Sequence, residues 1–188
     1  MRCFVAIALP EPVRAGIARL QAALRAAAPA ADVRWTAPAG LHVTLQFLGE
    51  VRGAHVAAVS AALAKAAARH APTPLAVDAI GAFPTPIHPR ILWAGVAGDL
   101  AGLAADVGAA LGPVGYPPET RPFHAHVTLG RVRRPGPLEP LRAALAGLGR
   151  PDGLAWTAVE VVLYRSHLRS SGSVYEAVAQ VPLLAPCP

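Results

Sequence analysis

Two segments of this chain decide its fold, LHVTLQFL at residues 41–48 and FHAHVTLGR at residues 123–131. In both, apolar residues alternate with polar ones, which is the pattern of a β-strand with one buried face. The four residues His-Val-Thr-Leu occur in each, at 42–45 and at 126–129. We therefore expect two equivalent strands, each with a histidine and a threonine on one face. In the first strand the expected apolar face consists of Leu41, Val43, Leu45 and Phe47, opposite His42, Thr44 and Gln46.

Helical and extended patterns surround these two strands. Helices are predicted at about 11–28, 53–70, 100–111 and 138–148. Further strands are predicted at 4–9, 33–35, 75–83, 91–96, 158–164 and 173–181, the last two joined by a turn at Ser170–Gly172. Antiparallel strands with interspersed helices indicate the α+β class. Each half contains a helix, a loop and a His-Val-Thr-Leu strand, so we expect a single domain, residues 1–188, built from two pseudo-repeated lobes.

Composition and charge restrict the possible partners. The 188 residues have a formal net charge of +6, which favours an anionic partner. No apolar stretch reaches the roughly 20 residues of a membrane span, and Pro10 and Glu11 interrupt the apolar N-terminal segment too early for a signal peptide. The two cysteines, Cys3 and Cys187, form neither a disulfide framework nor a zinc-binding spacing. We therefore expect a cytoplasmic protein without a membrane partner.

The paired histidines suit the chemistry of a phosphodiester. His42 and Thr44 project from one strand, His126 and Thr128 project from the other, and two adjacent strands would form one concave site. Opening a 2′,3′-cyclic phosphate requires one group that removes a proton from water and another that donates a proton to the leaving ribose oxygen. Histidine can do either near neutral pH, and threonine hydroxyls can donate to the non-bridging phosphate oxygens. The identical motifs do not tell which histidine is the acid.

A metal site is the other interpretation of the spacing His124-x-His126. Zinc sites need further ligands, and no acidic residue lies nearby in sequence to provide one. We therefore expect neither a metal nor a cofactor.

Several segments resemble the two-histidine phosphoesterase superfamily, in particular its RNA 2′,3′-cyclic phosphodiesterase branch, also called the 2′-5′ RNA ligase family. The resemblance rests on the two HxTx motifs, the start of the chain at 2–10, VRW at 33–35 and the closing hairpin around 163–175. The family commonly has proline directly before the second motif histidine, where this chain has Ala125. Alanine makes the backbone there less stiff but leaves the direction of His126 unchanged.

This resemblance implies a bilobal fold with two antiparallel sheets, helices packed outside and a central cleft. It also implies metal-independent opening of RNA 2′,3′-cyclic phosphate ends to 2′-phosphomonoesters, with His42 as proton donor and His126 as proton acceptor. Three alternatives stay open: 2′-5′ RNA ligation through the same site, hydrolysis of small cyclic nucleotides or ADP-ribose cyclic phosphate, and a non-catalytic RNA-binding module. Binding alone does not need two proton-transfer groups, which argues against the last.

Four further residues are candidate substrate contacts. Arg131 is a candidate phosphate ligand, but its odd offset from His126 requires a bulge or bend near Gly130. Phe4, Phe47 and Tyr175 are candidates for stacking on a terminal base. The expected partner is RNA with a 2′,3′-cyclic phosphate end, or a related nucleotide, bound by a monomer. Trp93 and Trp156 are assigned to the core.

Overall fold

The structure, a computed structural model, describes residues 1–134, 136, 138–169 and 172–184. In these ranges the strands are β1 (Arg2–Ala8), β2 (Val33–Trp35), β3 (His42–Glu50), β4 (Thr73–Pro84), β5 (Pro89–Ala97), β6 (His126–Val132), β7 (Ala155–Ala158), β8 (Glu160–Arg169) and β9 (Gly172–Pro182). The helices are α1 (Glu11–Ala27), α2 (Val56–Ala67), α3 (Ala101–Leu111) and α4 (Glu139–Gly147). None of these helices is long and apolar enough to cross a membrane. Cys187, and Ser170 and Ser171 of the predicted turn, lie outside the described residues.

The α+β prediction is confirmed, and three local differences have physical causes. The short strand β7 was not predicted, because it is only four residues long and pairs only with β4. The second predicted helix opens with a 3₁₀ turn at Gly53–His55 before α2 begins. The strand predicted at 123–131 begins at His126, because the carbonyl oxygen of His124 bonds to the His126 ring instead of a neighbouring strand.

All the described strands join in one sheet. Their order is β7-β4-β5-β6-β3-β1-β8-β9, with β2 paired to β6. The two antiparallel sheets of the expected fold are therefore two halves of a continuous sheet, joined by β3 and β6. These strands share a single bridging pair, Val43 and Val127, which we call the central valine pair. Both valines are fully buried, so the junction is narrow but well packed.

The two halves repeat one strand register. In the first half β1 pairs with β3, and Ala6 lies opposite Thr44. In the second half β5 pairs with β6, and Trp93 lies opposite Thr128. The internal repeat of the sequence therefore corresponds to an equivalent pairing in the fold.

A β-bulge follows each motif threonine. Leu45 in β3 and Leu129 in β6 have no partner in the ladders to β1 and β5. One extra residue shifts the alternation, so in both strands the residue after the bulge is buried and the next one is exposed. The predicted unbroken alternation is therefore wrong beyond Leu45. Gln46 lies in the core, and Phe47 lies on the histidine face.

The bulge in β6 is held by a buried glutamine of α1. Gln21 belongs to the buried side of this helix, and its Nε2 donates to the carbonyl oxygens of Thr36 and Leu129, both at 2.8 Å. A bulge disrupts the regular ladder, and buried carbonyl groups then need other donors. Gln21 supplies one for the bulged residue.

The bulge in β3 is held by the loop after α3. Gln46 Nε2 donates to the carbonyl oxygens of Tyr116 and Pro117, at 3.1 and 2.9 Å. The backbone N–H of Phe47 donates to Glu119 Oε1 at 3.2 Å. The loop therefore fixes the backbone at the point where the strand changes face.

We expect the substitution Gln21→Ala to lower the free energy of unfolding by about 1–3 kcal/mol, because it removes the side-chain hydrogen bonds to the carbonyl oxygens of Thr36 and Leu129. Urea unfolding followed by circular dichroism measures this change. Gln180→Ala is the matched control, since Gln180 is exposed and donates to Glu160 at 3.1 Å. We expect the control to change the unfolding free energy by less than about 0.5 kcal/mol. Equal losses in the two variants would contradict the role given to Gln21.

Candidate active site

The junction of β3 and β6 carries both motif histidines. Because the strands run antiparallel around the central valine pair, His42 lies across from Thr128 and Thr44 lies across from His126. The histidines are thus diagonal neighbours, which in a regular sheet are roughly 7–8 Å apart. Each imidazole has a threonine of the other strand beside it.

Both imidazoles are oriented by the same type of hydrogen bond. Nδ1 of His42 donates to the carbonyl oxygen of Gly40 at 2.8 Å, and Nδ1 of His126 donates to that of His124 at 2.7 Å. A carbonyl oxygen only accepts, so Nδ1 carries the proton and Nε2 of the neutral ring keeps its lone pair. Nε2 is therefore the atom of each histidine that can gain and lose a proton.

His42 is enclosed by aromatic rings. Its ring centroid lies 4.6 Å from that of Phe4 and 5.1 Å from that of Tyr175, which meets it edge-on. Burial lowers the pKa of His42 to about 4; the hydrogen bond to Gly40 opposes this effect, and the charge of His126 adds to it. His42 is consequently neutral at pH 7 in the free protein.

A second aromatic group surrounds His126. Phe83 meets this imidazole edge-on at 5.4 Å and lies 5.2 Å from Trp93, measured between ring centroids. Trp93, assigned to the core from the sequence, instead lies opposite Thr128 on the histidine face. Its indole covers Gly81, where any side chain would collide with the ring. Trp156 packs against the core as predicted.

A cleft of about 400 Å³ opens on the histidine face. The predicted site residues that line it are His42, Thr44, Thr128, Arg131, Phe4, Phe47 and Tyr175. His126 lies on the same face, two residues before Thr128. Among the described residues of the lining, Arg2 and Arg131 are charged and none is a carboxylate. The cleft therefore favours an anion.

Phe47 and Arg131 reach the cleft because of the two bulges. They occupy equivalent positions, two residues after the bulged Leu45 and Leu129. The bend that Arg131 needs is thus present one residue before Gly130. Phe47 is 60% exposed and lines the cleft, so its ring is accessible to a ligand.

The structure adds residues in and next to the cleft that the sequence interpretation missed. Tyr164 is not part of the cleft lining but stacks on Phe4, which is, with ring centroids 5.4 Å apart. Ser166 and Ser173 line the cleft, each two positions from an aromatic residue of its own strand, Tyr164 and Tyr175. The period-2 rule applied to the closing hairpin would have placed both serines on this face.

His124 and His126 form the His-x-His spacing whose other interpretation from the sequence was a metal site. Within them, no group of three His, Cys, Asp or Glu side chains is arranged to hold a metal ion. His124 is exposed, and its ring lies 6.3 Å from that of Phe83.

Known proteins match this chain along nearly its whole length. A family model described as LigT like Phosphoesterase matches it twice, over residues 7–93 and 94–175. A protein of Geobacillus stearothermophilus named RNA 2′,3′-cyclic phosphodiesterase is 32% identical over 96% of the chain, which spans 57% of that relative's length.

Solved structures match as well. The crystal structure of TT0787 of Thermus thermophilus has a TM-score of 0.82 and 29% identity, covering 97% of this chain and 98% of that one. E. coli LigT complexed with 3′-AMP has a TM-score of 0.78 and 26% identity, covering 97% of both chains. This chain, as its motifs predicted, belongs to the LigT-like phosphoesterase family.

Proposed function

We propose that this protein hydrolyses the 2′,3′-cyclic phosphate ends of RNA to 2′-phosphomonoesters by metal-independent general acid–base catalysis. One observation carries the proposal: two histidines with identically anchored Nδ1 atoms occupy the same face of two adjoining strands, each opposite a threonine. The name of the Geobacillus relative and the bound 3′-AMP of E. coli LigT support a nucleotide phosphate as substrate.

The reaction needs two proton transfers on opposite sides of phosphorus. Water attacks as Nε2 of His126 accepts its proton, and the bond from phosphorus to the 3′ oxygen breaks as Nε2 of His42 donates a proton to that oxygen. The phosphate stays on the 2′ oxygen. Histidines on two strands can flank the phosphorus, whereas two on one strand would lie on the same side.

The protonation of His42 decides whether it can act as donor. In the free protein its low pKa leaves Nε2 unprotonated at neutral pH. A bound phosphate places a negative charge beside the buried ring, and an opposite charge favours the protonated form. Substrate binding therefore creates the acid that the reaction requires.

The remaining cleft residues have complementary roles. Thr44 and Thr128 donate from their hydroxyls to the non-bridging oxygens, where negative charge develops. Arg131 neutralises phosphate charge from the second half of the cleft. Phe47 and Tyr175 offer aromatic surface to the terminal base. Phe4 is only 3% exposed and lies against the ring of His42 instead. We also propose that residues 1–188 form one domain of two pseudo-repeated lobes; the monomeric state and the cytoplasmic location remain predictions.

We expect His42→Ala and His126→Ala each to reduce kcat by about 10²- to 10⁴-fold, because each removes one proton-transfer group. Turnover is measured with an oligonucleotide ending in a 2′,3′-cyclic phosphate, in EDTA, and the product is identified as a 2′-phosphate. His88→Ala is the control, since His88 is exposed and lies outside both motif strands.

Three outcomes would contradict the proposal. Undiminished turnover in either active-site variant excludes the two-histidine mechanism, and turnover abolished by EDTA excludes metal independence. Tight RNA binding by an unaltered protein that turns nothing over indicates a binding module.

We expect the Nε2 atom of His42 to be unprotonated at pH 6 in the free protein and protonated when 2′-AMP is bound. The pKa of about 4 lies below this pH, and the ligand's negative charge raises it. The protonation of His42 should therefore make the affinity for 2′-AMP increase as the pH falls from 7 towards 4, because the complex then binds more protons than the separate partners.

Nitrogen chemical shifts of the histidine rings measure this directly and do not depend on titration of the ligand. The His42→Gln variant assigns the signal, and the ring of exposed His88 should respond to the ligand far less. If His42 remains neutral in the complex, its role as proton donor is wrong.

A further inference from the structure

Two arginines lie directly opposite each other at the edge of the cleft. β2 pairs with β6 so that Arg34 is the cross-strand partner of Arg131. Directly paired residues point to the same face, with Cβ atoms roughly 4.5–5.5 Å apart. Arg131 lines the cleft, so Arg34 lies beside it on the histidine face.

This pairing is unfavourable unless an anion offsets it. Like charges directly opposite each other destabilise a sheet. Neither arginine forms an ion pair in the part of the chain that the structure describes; the nearby Asp32 instead lies 4.0 Å from Arg134. Both arginine side chains are exposed, so a ligand can reach them.

The side chain of Arg34 also extends towards β9, which contributes residues to the cleft lining. Its Nη2 atom lies 3.4 Å from the position that a Cβ atom would occupy at Gly172, the first residue of β9. Ser173 and Tyr175, which follow in β9, line the cleft. The guanidinium therefore lies between Arg131 and the aromatic side of the site.

We propose that Arg34 and Arg131 together bind a second phosphate of the substrate, the internucleotide phosphate on the 5′ oxygen of the terminal ribose. This inference rests on the proposed function. It makes the protein selective for oligonucleotide ends over mononucleoside cyclic phosphates.

The spacing along β6 supports a separate phosphate site. Because Leu129 bulges out of the ladder, Thr128 and Arg131 are successive side chains on the cleft face of β6. Successive side chains on one face of a strand lie about 6.6–7 Å apart. A phosphate held between the histidines and a phosphate held by the two guanidinium groups would thus occupy neighbouring positions. The two phosphates of one terminal nucleotide, at its cyclised edge and at its 5′ oxygen, have this relation.

The test compares two substrates. One is adenosine 2′,3′-cyclic phosphate, and the other is the same cyclic phosphate with an added methylphosphate diester on its 5′ oxygen. We expect the added phosphate to increase kcat/KM about tenfold in the unaltered protein, as a charge-assisted contact does. In Arg34→Gln this advantage should disappear, and Arg34→Lys should restore part of it. Arg19→Gln is the matched control, since it removes the same charge from the exposed side of α1.

A second measurement does not depend on turnover. The affinity for a hexanucleotide with a 3′-phosphate is measured by fluorescence anisotropy at several salt concentrations. In Arg34→Gln the slope of log affinity against log salt concentration should become smaller by up to about 0.7, which corresponds to one phosphate contact. An unchanged substrate ratio together with an unchanged salt slope overturns the inference, as does an equal loss on both substrates. An unaltered protein that hydrolyses neither substrate refutes the proposed function instead, and the salt slope alone then decides on the phosphate site.

Discussion

The central valine pair is the constraint on which the site depends. Val43 and Val127 form the single bridge between β3 and β6, and both are fully buried. In an antiparallel pair this bridge determines which side chains become neighbours on the opposite face. A shift of one residue would turn the histidines of one strand into the core, and a shift of two would place the two histidines, or the two threonines, directly opposite each other. The relative positions of the proposed acid, base and phosphate ligands are thus fixed by a contact that takes no part in the proposed chemistry.

The bulges place different side chains in the two halves of the cleft, although the motif strands of both halves pair in the same way. In a regular strand the residues after the motif threonines on the cleft face would be Gln46 and Gly130. The bulges bring Phe47 and Arg131 there instead. One half then offers aromatic surface and the other offers charge, as the base and the phosphates of the proposed nucleotide substrate require. A fold with two equivalent halves would therefore hold this asymmetric substrate without losing the symmetry of the paired histidines and threonines.

Features that depend on the periodicity of a strand could be predicted from the sequence, whereas features that depend on which residues pair across strands could not. The repeated motif was sufficient to predict both strands and the shared face of His42 and Thr44. The bulge at Leu45 could not be predicted, because Gln46 has a polar side chain, as expected on the exposed face of the strand. Its hydrogen-bond acceptors in the core, the carbonyl oxygens of Tyr116 and Pro117, belong to a loop that is far away in sequence. Trp93 was assigned to the core for a similar reason: its neighbours Gly81 and Thr128 belong to other strands. Local pattern specifies an element, whereas a side chain's surroundings depend on pairing.

In the proposed mechanism, the aromatic enclosure of His42 links substrate binding to catalysis. An imidazole that is already charged in the free protein would attract any anion, including those that cannot react. Burial against Phe4 and Tyr175 keeps the ring neutral, so the proton arrives only with a ligand whose charge stabilises it. The free energy for charging the proposed acid would then come from phosphate binding, and a ligand without a phosphate at this position would leave His42 unprotonated. Selectivity for the reacting group would therefore reside in the proposed acid, and the proposed arginine and aromatic contacts would select the rest of the nucleotide.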